Sequence, residues 1–184
     1  MARPGVMCLE GEWTRDLTDH SSVRPSLELL ERLEVIDFAH RDVATVPELT
    51  EYLNRWTLKK HQRYGVLYLA VQGSPGPVMI GDSRLSLDDL AVPLERRCRG
   101  RVIYFGRCSS IDLEDQTLDA FLRRTRARAV CGYSTEVDWG ESAAFDLLLL
   151  GSLARYKRID APFRYLDRQH GQFVKRLRFK AIWR

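Results

Sequence analysis

A glutamine and a cysteine follow two apolar runs of this sequence, at positions where enzymes often place reactive groups. Residues 66–71 form a run that leads into Gln72 and Gly73, and residues 102–105 form a run that leads to Cys108. Open α/β sheets carry their sites at the carboxyl ends of such strands. We therefore expect the Gln72 turn and Cys108 to face one cleft.

Cys108 lies in a segment that favours a reactive thiol. Backbone N–H groups and the dipole of a following helix can lower the pKa of a thiol placed between a strand and that helix. Arg107 adds a positive charge beside it. The sequence leaves a second interpretation open, in which Cys108 is a small packing residue at the end of the strand.

The turn at Gln72 and Gly73 could support acyl chemistry but lacks a base. A glycine lets the backbone approach a substrate and donate its N–H to a developing oxyanion, which suits Gly73. A glutamine side chain does not titrate near neutral pH, so Gln72 can position groups only through hydrogen bonds. His40 follows the predicted strand 35–39 and is the best substitute base, although a histidine there can also simply brace the turn.

A third polar segment leaves the predicted strand 127–133 and begins a long helix over residues 139–156. Asp138 and Glu141 fall at the N-terminus of that helix, where the helix dipole stabilises carboxylates. Helix capping alone would account for both residues.

Short apolar strands alternate with amphipathic helices along the chain. Beyond the segments above, we expect strands at residues 6–9 and 78–80 and helices near residues 25–33, 47–56, 86–94 and 113–124. This alternation predicts an α/β fold, a three-layer sandwich with a mostly parallel central sheet. The length suits a single domain over residues 1–184. Within it, residues 157–184 form either a terminal amphipathic helix or an edge strand.

The composition points away from several classes of protein. A net charge of +4, from 29 basic and 25 acidic residues, is a mild surplus, and the arginine clusters are typical of solvated helix ends, so we expect no nucleic-acid partner. Four cysteines without CxxC spacing predict no metal site, and we expect no cofactor. The longest apolar run, residues 145–150, contains Asp146 and cannot span a bilayer. We therefore expect a cytoplasmic chain without a membrane partner.

The two strand ends resemble those of cysteine peptidases of the caspase, separase and CHAT clan. In that clan a His-Gly pair follows one strand and the nucleophilic cysteine follows the next. The resemblance covers residues 65–156 and implies a caspase-like fold in which Cys108 attacks a peptide carbonyl while the backbone N–H groups of Gly73 and Cys108 hold the oxyanion. Gln72 stands where the clan has its histidine, which implies weak or absent turnover unless the base comes from another strand. The sequence also lacks the acidic residue that metacaspases place two positions before their cysteine.

The resemblance to separases and CHAT proteases extends to the loop before the long helix. In those proteases an aspartate of the corresponding loop binds the basic side chain that precedes the scissile bond. This implies that Asp138 recognises an Arg or Lys of a protein or peptide substrate, with Trp139 against its aliphatic stem and Glu141 beside the pocket.

Residues 8–13 and 40–45 resemble segments of an uncharacterised family of small bacterial proteins. Small caspase-like and CHAT proteins of bacteria often act in antiphage defence, so the resemblance implies such a role. Three hypotheses stay open: a cysteine endopeptidase with weak turnover, an inactive pseudoprotease that binds a peptide or protein, and a nucleotide-sensing α/β domain. The sequence around Gln72 has neither the GxGxxG glycines nor the GK[ST] of a P-loop, which counts against the third.

Overall fold

Strands and helices alternate along the chain. The computed structural model describes residues 3–106, 109 and 111–184, so the predicted nucleophile Cys108 lies outside the described residues. The strands are β1 Gly5–Gly11, β2 Asp37–Val43, β3 Val66–Ala70, β4 Val78–Ile80, β5 Ser83–Leu85, β6 Val102–Gly106, β7 Ala129–Tyr133 and β8 Phe179–Trp183. The helices are α1 Arg24–Arg32, α2 Val46–Trp56, α3 Leu87–Leu94, α4 Asp115–Thr125, α5 Trp139–Arg155 and α6 Asp160–Arg176. Among the described residues no helix is both long and apolar enough to cross a membrane.

Six strands form one sheet in the order β2-β1-β3-β6-β7-β8. All neighbours in this sheet are parallel except β7 and β8, which are antiparallel. The short strands β4 and β5 form a separate antiparallel hairpin. Helices α2, α3 and α4 pack on one face of the six-stranded sheet, and α1, α5 and α6 pack on the other. The predicted α/β sandwich with a mostly parallel sheet is confirmed.

The strands at the centre of the sheet are buried on both faces. In β3, Leu67 and Leu69 point into the core beneath α2 and α3, whereas Tyr68 and Ala70 point into the core beneath α1 and α5. This follows from the two-residue alternation of side chains along a strand. Because both faces are covered, such a strand is a continuous apolar run in the sequence, and the position of β3 was therefore predictable.

Two segments differ from their predicted form. Strand β2 begins and ends later than residues 35–39, because it pairs with β1 in parallel from Gly5 with Asp37 to Gly11 with Val43. His40 therefore lies in the middle of β2 and not after its end. Residues 157–184 hold both predicted alternatives, since α6 is followed by β8 at the border of the described sheet.

A buried carboxylate of α5 ties the two central strands to the helix layer. Asp146 is 1% exposed and accepts hydrogen bonds from the hydroxyl of Tyr68, at 2.5 Å, and from the hydroxyl of Tyr104. The Tyr104 and Tyr133 hydroxyl oxygens lie 2.9 Å apart, within hydrogen-bonding distance. Burial, and next the nearby Asp146 carboxylate, raise the pKa of Tyr68 and of Tyr104, so both phenols remain protonated donors.

Gly106, the last residue of β6, lies against the Tyr68 ring. A Cβ atom at Gly106 would lie 2.1 Å from Cε2 of Tyr68, and that ring cannot move freely because Asp146 holds its hydroxyl. We expect Gly106→Ala to lower the free energy of unfolding by at least about 2 kcal/mol, as overpacking of a filled core does. Urea unfolding at neutral pH measures this. The control is Gly65→Ala, where the added Cβ meets no atom within 4 Å; equal losses in the two variants would contradict the prediction.

Candidate active site

A groove of about 860 Å³ opens at the carboxyl ends of β1, β2 and β3. Its walls are the loop over residues 12–22, the ends of the three strands and the β4–β5 hairpin. Helix α1 carries the chain from β1 to β2 on one face, and α2 carries it from β2 across to β3 on the other. The crossover direction therefore reverses between β1 and β3, and open α/β sheets bind ligands at such a switch point.

Gln72 lies at this switch point and is held by the loop that follows β1. It comes two residues after Ala70, the last residue of β3, and its side-chain Nε2 donates a hydrogen bond to the backbone carbonyl oxygen of Trp13. Ala70 pairs with Gly106 of β6. In the sequence, Cys108 follows Gly106 by two residues, as Gln72 follows Ala70.

The turn that contains Gly73 is fixed by backbone hydrogen bonds. The Met79 N–H donates to the Gln72 carbonyl at 2.8 Å, and the Ser74 N–H donates to the Pro77 carbonyl at 3.1 Å. Gly73 also forms a bridge with Val78. The hairpin thus holds the backbone of the Gln72 turn in one position at the edge of the groove.

Glu10 is a buried carboxylate that sequence analysis did not single out. Its side chain is 4% exposed, and its two oxygens accept four hydrogen bonds: from Trp13 Nε1 at 2.6 Å, the Val23 N–H at 2.8 Å, Ser22 Oγ at 2.7 Å and His40 Nε2 at 2.6 Å. The available signal was an acidic residue on the buried face of β1, two positions after Cys8. Charged residues are fully buried almost only when they are paired.

The position of His40 separates it from Gln72. His40 is level with Cys8 of β1 and, through it, with Tyr68 of β3, so β1 lies between the histidine and the strand that leads to Gln72. The His40 side chain is only 8% exposed, and its Nε2 faces Glu10. The predicted substitute base therefore lies in a buried pair with Glu10. It is level with Tyr68 of β3, and Gln72 follows Tyr68 by four positions along the chain.

Among the described residues, this pair and the neighbouring Asp42 form a group of side chains that could hold a metal ion. Ligand atoms of Glu10, His40 and Asp42 all lie within 4.8 Å of one another. A carboxylate has about four lone-pair positions, and four protein donors already use those of Glu10. The donor set is that of a hydrogen-bond network and not of a coordination site.

Trp13 connects the Gln72 position with the start of α5. Its indole Nε1 donates to Glu10, its carbonyl oxygen accepts from Gln72, and its ring lies edge-on to Trp139 with 5.1 Å between ring centroids. Trp139 is 38% exposed. The structure therefore brings two of the predicted site residues to Trp13, with Gln72 at its backbone carbonyl and Trp139 at its ring.

Asp138 and Glu141 both have structural partners. Asp138 is the N-cap of α5, and its Oδ1 accepts from the N–H groups of Gly140 at 2.8 Å and Glu141 at 3.0 Å. The Glu141 side chain forms an ion pair with Arg176 of α6 at 2.8 Å. The capping role is thus observed for Asp138, and the Glu141 carboxylate is directed towards α6.

The groove is acidic although the protein has a net charge of +4. Among the described residues that line it, Arg15 is the one that carries a cationic side chain, and Arg15 forms an exposed ion pair with Asp82. Six lining residues carry carboxylates: Glu10, Glu12, Asp16, Asp19, Asp42 and Asp82. Such a surface attracts cations and repels phosphate groups.

The three described cysteines are unreactive by position. Cys8, Cys98 and Cys131 are buried free thiols, and burial raises the pKa of each, for Cys98 to about 12. A thiol with such a raised pKa carries little nucleophilic thiolate at neutral pH.

The fold of this chain is similar to the caspase fold. The structure is similar to that of caspase-1 from Spodoptera frugiperda, with a TM-score of 0.54 over 90% of this chain and 76% of the caspase and with 11% sequence identity. At that identity the likeness shows the fold alone. The chain belongs to the family of unknown function DUF6642, which matches residues 4–183. No curated protein matches the sequence.

The hydrogen bonds to Glu10 predict a pH-dependent contribution to stability. Burial raises the pKa of the Glu10 carboxyl, but hydrogen bonds from His40, Ser22, Trp13 and Val23 outweigh burial, and the pKa lies below its ordinary value of 4.5. A carboxyl with a lowered folded-state pKa stabilises the fold above its unfolded-state pKa, and that stabilisation is lost as pH falls through the folded-state pKa.

We therefore expect Glu10→Gln to lower the free energy of unfolding by about 1–3 kcal/mol at pH 7. The difference from the parent chain should shrink as the pH falls below 4.5. Urea unfolding at a series of pH values measures it, with the half-buried Glu28→Gln of α1 as the control. A difference that stays constant with pH would contradict the prediction.

Proposed function

We propose that the chain is a caspase-like cysteine-peptidase domain that binds a peptide across the carboxyl ends of β3 and β6 and has weak or no turnover. The observation that carries the proposal is the parallel pairing of Ala70 with Gly106. Gln72 and Cys108 follow these two paired residues by the same number of positions. The caspase-like fold supports the assignment of Cys108 as the nucleophile.

The proposed reaction begins with attack of the Cys108 thiolate on a peptide carbonyl carbon. Backbone N–H groups of Gly73 and Cys108 stabilise the resulting oxyanion. Collapse of the tetrahedral intermediate expels the amine, which needs a proton, and water then hydrolyses the thioester. Gln72 has no proton to exchange near neutral pH, so both proton transfers lack their catalyst.

The contact between Gln72 and Trp13 supports this account of position 72. In covalent catalysis the base that activates the nucleophile is itself oriented by a third group. The Trp13 carbonyl oxygen holds the Gln72 amide. A histidine at position 72 could donate a ring N–H to the same oxygen and turn its other nitrogen towards the reacting groups. We assign no base role to His40, because β1 separates it from β3 and Glu10 engages its Nε2.

The charge of the groove favours a basic substrate. Its carboxylates lie at the switch point beside Gln72, so a peptide with Arg or Lys residues would gain electrostatic attraction along its length. Asp138 is the proposed partner of the basic side chain before the scissile bond, and Trp139 the wall against its stem. The same acidity disfavours a nucleotide, so the nucleotide-sensing hypothesis is not carried further. A bacterial source, a role in defence and a cytoplasmic location stay predictions.

Restoring a base at position 72 should reveal the activity. We expect Gln72→His to raise the cleavage rate of Arg- and Lys-containing reporter peptides by about 10²–10⁴-fold, the usual contribution of general acid–base catalysis. Gln72→Asn is the matched control, because it keeps an amide and cannot titrate. Cys108→Ala in the Gln72→His chain should abolish the cleavage.

Thiol labelling separates the proposal from its alternative. Because the described cysteines are buried, rapid modification by iodoacetamide reports on Cys108. If Cys108 labels rapidly and the Gln72→His chain still cleaves no reporter, the peptidase assignment is wrong. Tight binding of the same peptides by the unmodified chain would then identify an inactive peptide-binding module.

The basic preference should depend on the charge of Asp138. We expect Asp138→Asn in the Gln72→His chain to lower kcat/KM for an Arg reporter about tenfold or more, as the loss of a charged hydrogen bond does. Asparagine also caps helices well, so α5 should keep its start. Asp119→Asn, on helix α4 at the opposite face of the sheet from α5, removes the same charge and is the control. If Asp138→Asn keeps the preference for Arg over norleucine, Asp138 does not recognise the basic side chain. The groove carboxylates would then be the groups that recognise it.

A further inference from the structure

We infer that Glu10 and His40 are positioning residues of the cleft, acting through Trp13 on the side chain at position 72 and on Trp139. The inference rests on the proposed function. Both side chains are almost completely buried, and the Glu10 carboxylate is engaged by protein donors although it contributes to the charge of the groove.

Core packing does not explain why a glutamate is buried at position 10. The side chain is 4% exposed and shares the inner face of β1 with Val6 and Cys8, where an apolar residue would pack at no electrostatic cost. Burial of a carboxylate is costly unless donors satisfy it. Three of its four donors, Trp13, Ser22 and Val23, belong to the segment between β1 and α1. The carboxylate is therefore placed to hold that segment.

His40 helps to orient the Glu10 carboxylate. Its Nε2 lies 2.6 Å from Glu10 Oε2, the oxygen that also accepts from Ser22, whereas Oε1 accepts from Trp13 and Val23. The imidazole thus helps to fix the rotation of the carboxylate, which directs Oε1 towards the Trp13 indole. Because His40 belongs to β2, the loop is anchored to two strands at once.

Trp13 connects the Glu10 carboxylate to the two sides of the proposed cleft. The Trp13 indole N–H is bonded to Glu10, while the carbonyl of the same residue accepts from Gln72 and the ring packs against Trp139. Release of the indole N–H from Glu10 frees Trp13 as a whole, so both its ring contact with Trp139 and its carbonyl contact with Gln72 are disturbed. Misplacement of a catalytic group by about 1 Å can cost about 10²-fold in rate, so such an anchor has a functional effect.

Nuclear magnetic resonance of the ¹⁵N-labelled chain tests the positioning without requiring activity. In Glu10→Gln we expect the indole N–H signals of Trp13 and Trp139 and the side-chain amide signals of Gln72 to shift together. The indole signals of Trp56 and Trp183 should stay in place. The half-buried Glu28→Gln of α1 is the control and should move none of them.

Kinetics in the Gln72→His chain supply the functional readout. Adding Glu10→Gln should lower kcat by about tenfold to 10²-fold with little change in KM, because four protein donors engage the Glu10 carboxylate and five other carboxylates keep the groove acidic. His40→Gln keeps an N–H donor for the carboxylate and should retain most of the rate, whereas His40→Ala should not. These two variants also decide the question if Glu10→Gln fails to fold.

The two proposals fail in different ways. If the Gln72→His chain cleaves nothing, the proposed function is wrong, while the resonance shifts still decide whether Glu10 positions the cleft. If folded Glu10→Gln leaves the Trp13, Trp139 and Gln72 signals in place, the positioning role is wrong. Equal kcat values in His40→Gln and His40→Ala would contradict the role of His40.

Discussion

The hydrogen bonds that Tyr68 and Tyr104 donate to Asp146 are the interaction on which the relative position of β3 and β6 depends. The two tyrosines belong to β3 and β6, the neighbouring strands that lead to Gln72 and Cys108, and Asp146 belongs to α5. One carboxylate therefore fixes both strands against the same helix. The Tyr68 ring then lies so close to Gly106 that no larger residue fits there without a shift of the core. The relative position of the two strand ends is thus set by buried packing and not by the loops above them.

Glu10 likewise holds neighbouring segments together, because it accepts hydrogen bonds from the loop that follows β1. Asp146 and Glu10 both lie on the face of the sheet that α1, α5 and α6 cover, and both are buried carboxylates whose known partners donate to them. Asp146 joins strands to a helix, whereas Glu10 joins a strand to a loop. Removing a partner of such a group lowers the free energy of unfolding strongly, because it leaves a desolvated charge without its compensating donor. A buried carboxylate therefore specifies one arrangement of its surroundings more strictly than an apolar residue could.

Part of this arrangement follows from the sequence. Central parallel strands are continuous apolar runs, so β3 and β6 could be predicted, as could the start of α5 at Asp138. Strand β2 could not be placed as well, because it borders the described sheet and exposes polar residues such as Arg41 and Asp42, which interrupt the apolar run. The pairing of Glu10 with His40 joins residues thirty positions apart and depends on the parallel register of β1 and β2. No local pattern encodes that register, and for this reason the sequence predicts His40 at a strand end.

The contact of Gln72 with the Trp13 carbonyl explains how a glutamine can occupy this position without disturbing the fold. Histidine and glutamine side chains can both donate an N–H to that oxygen, so the structural half of the role of residue 72 is kept. Only the half that needs a titrating group is absent, since an amide neither accepts nor releases a proton near neutral pH. In the proposed cleft the donors and the packing of the walls require no titrating group. Under the proposed function, binding and catalysis are therefore separable at position 72, and a chain with glutamine there would hold a peptide without cleaving it.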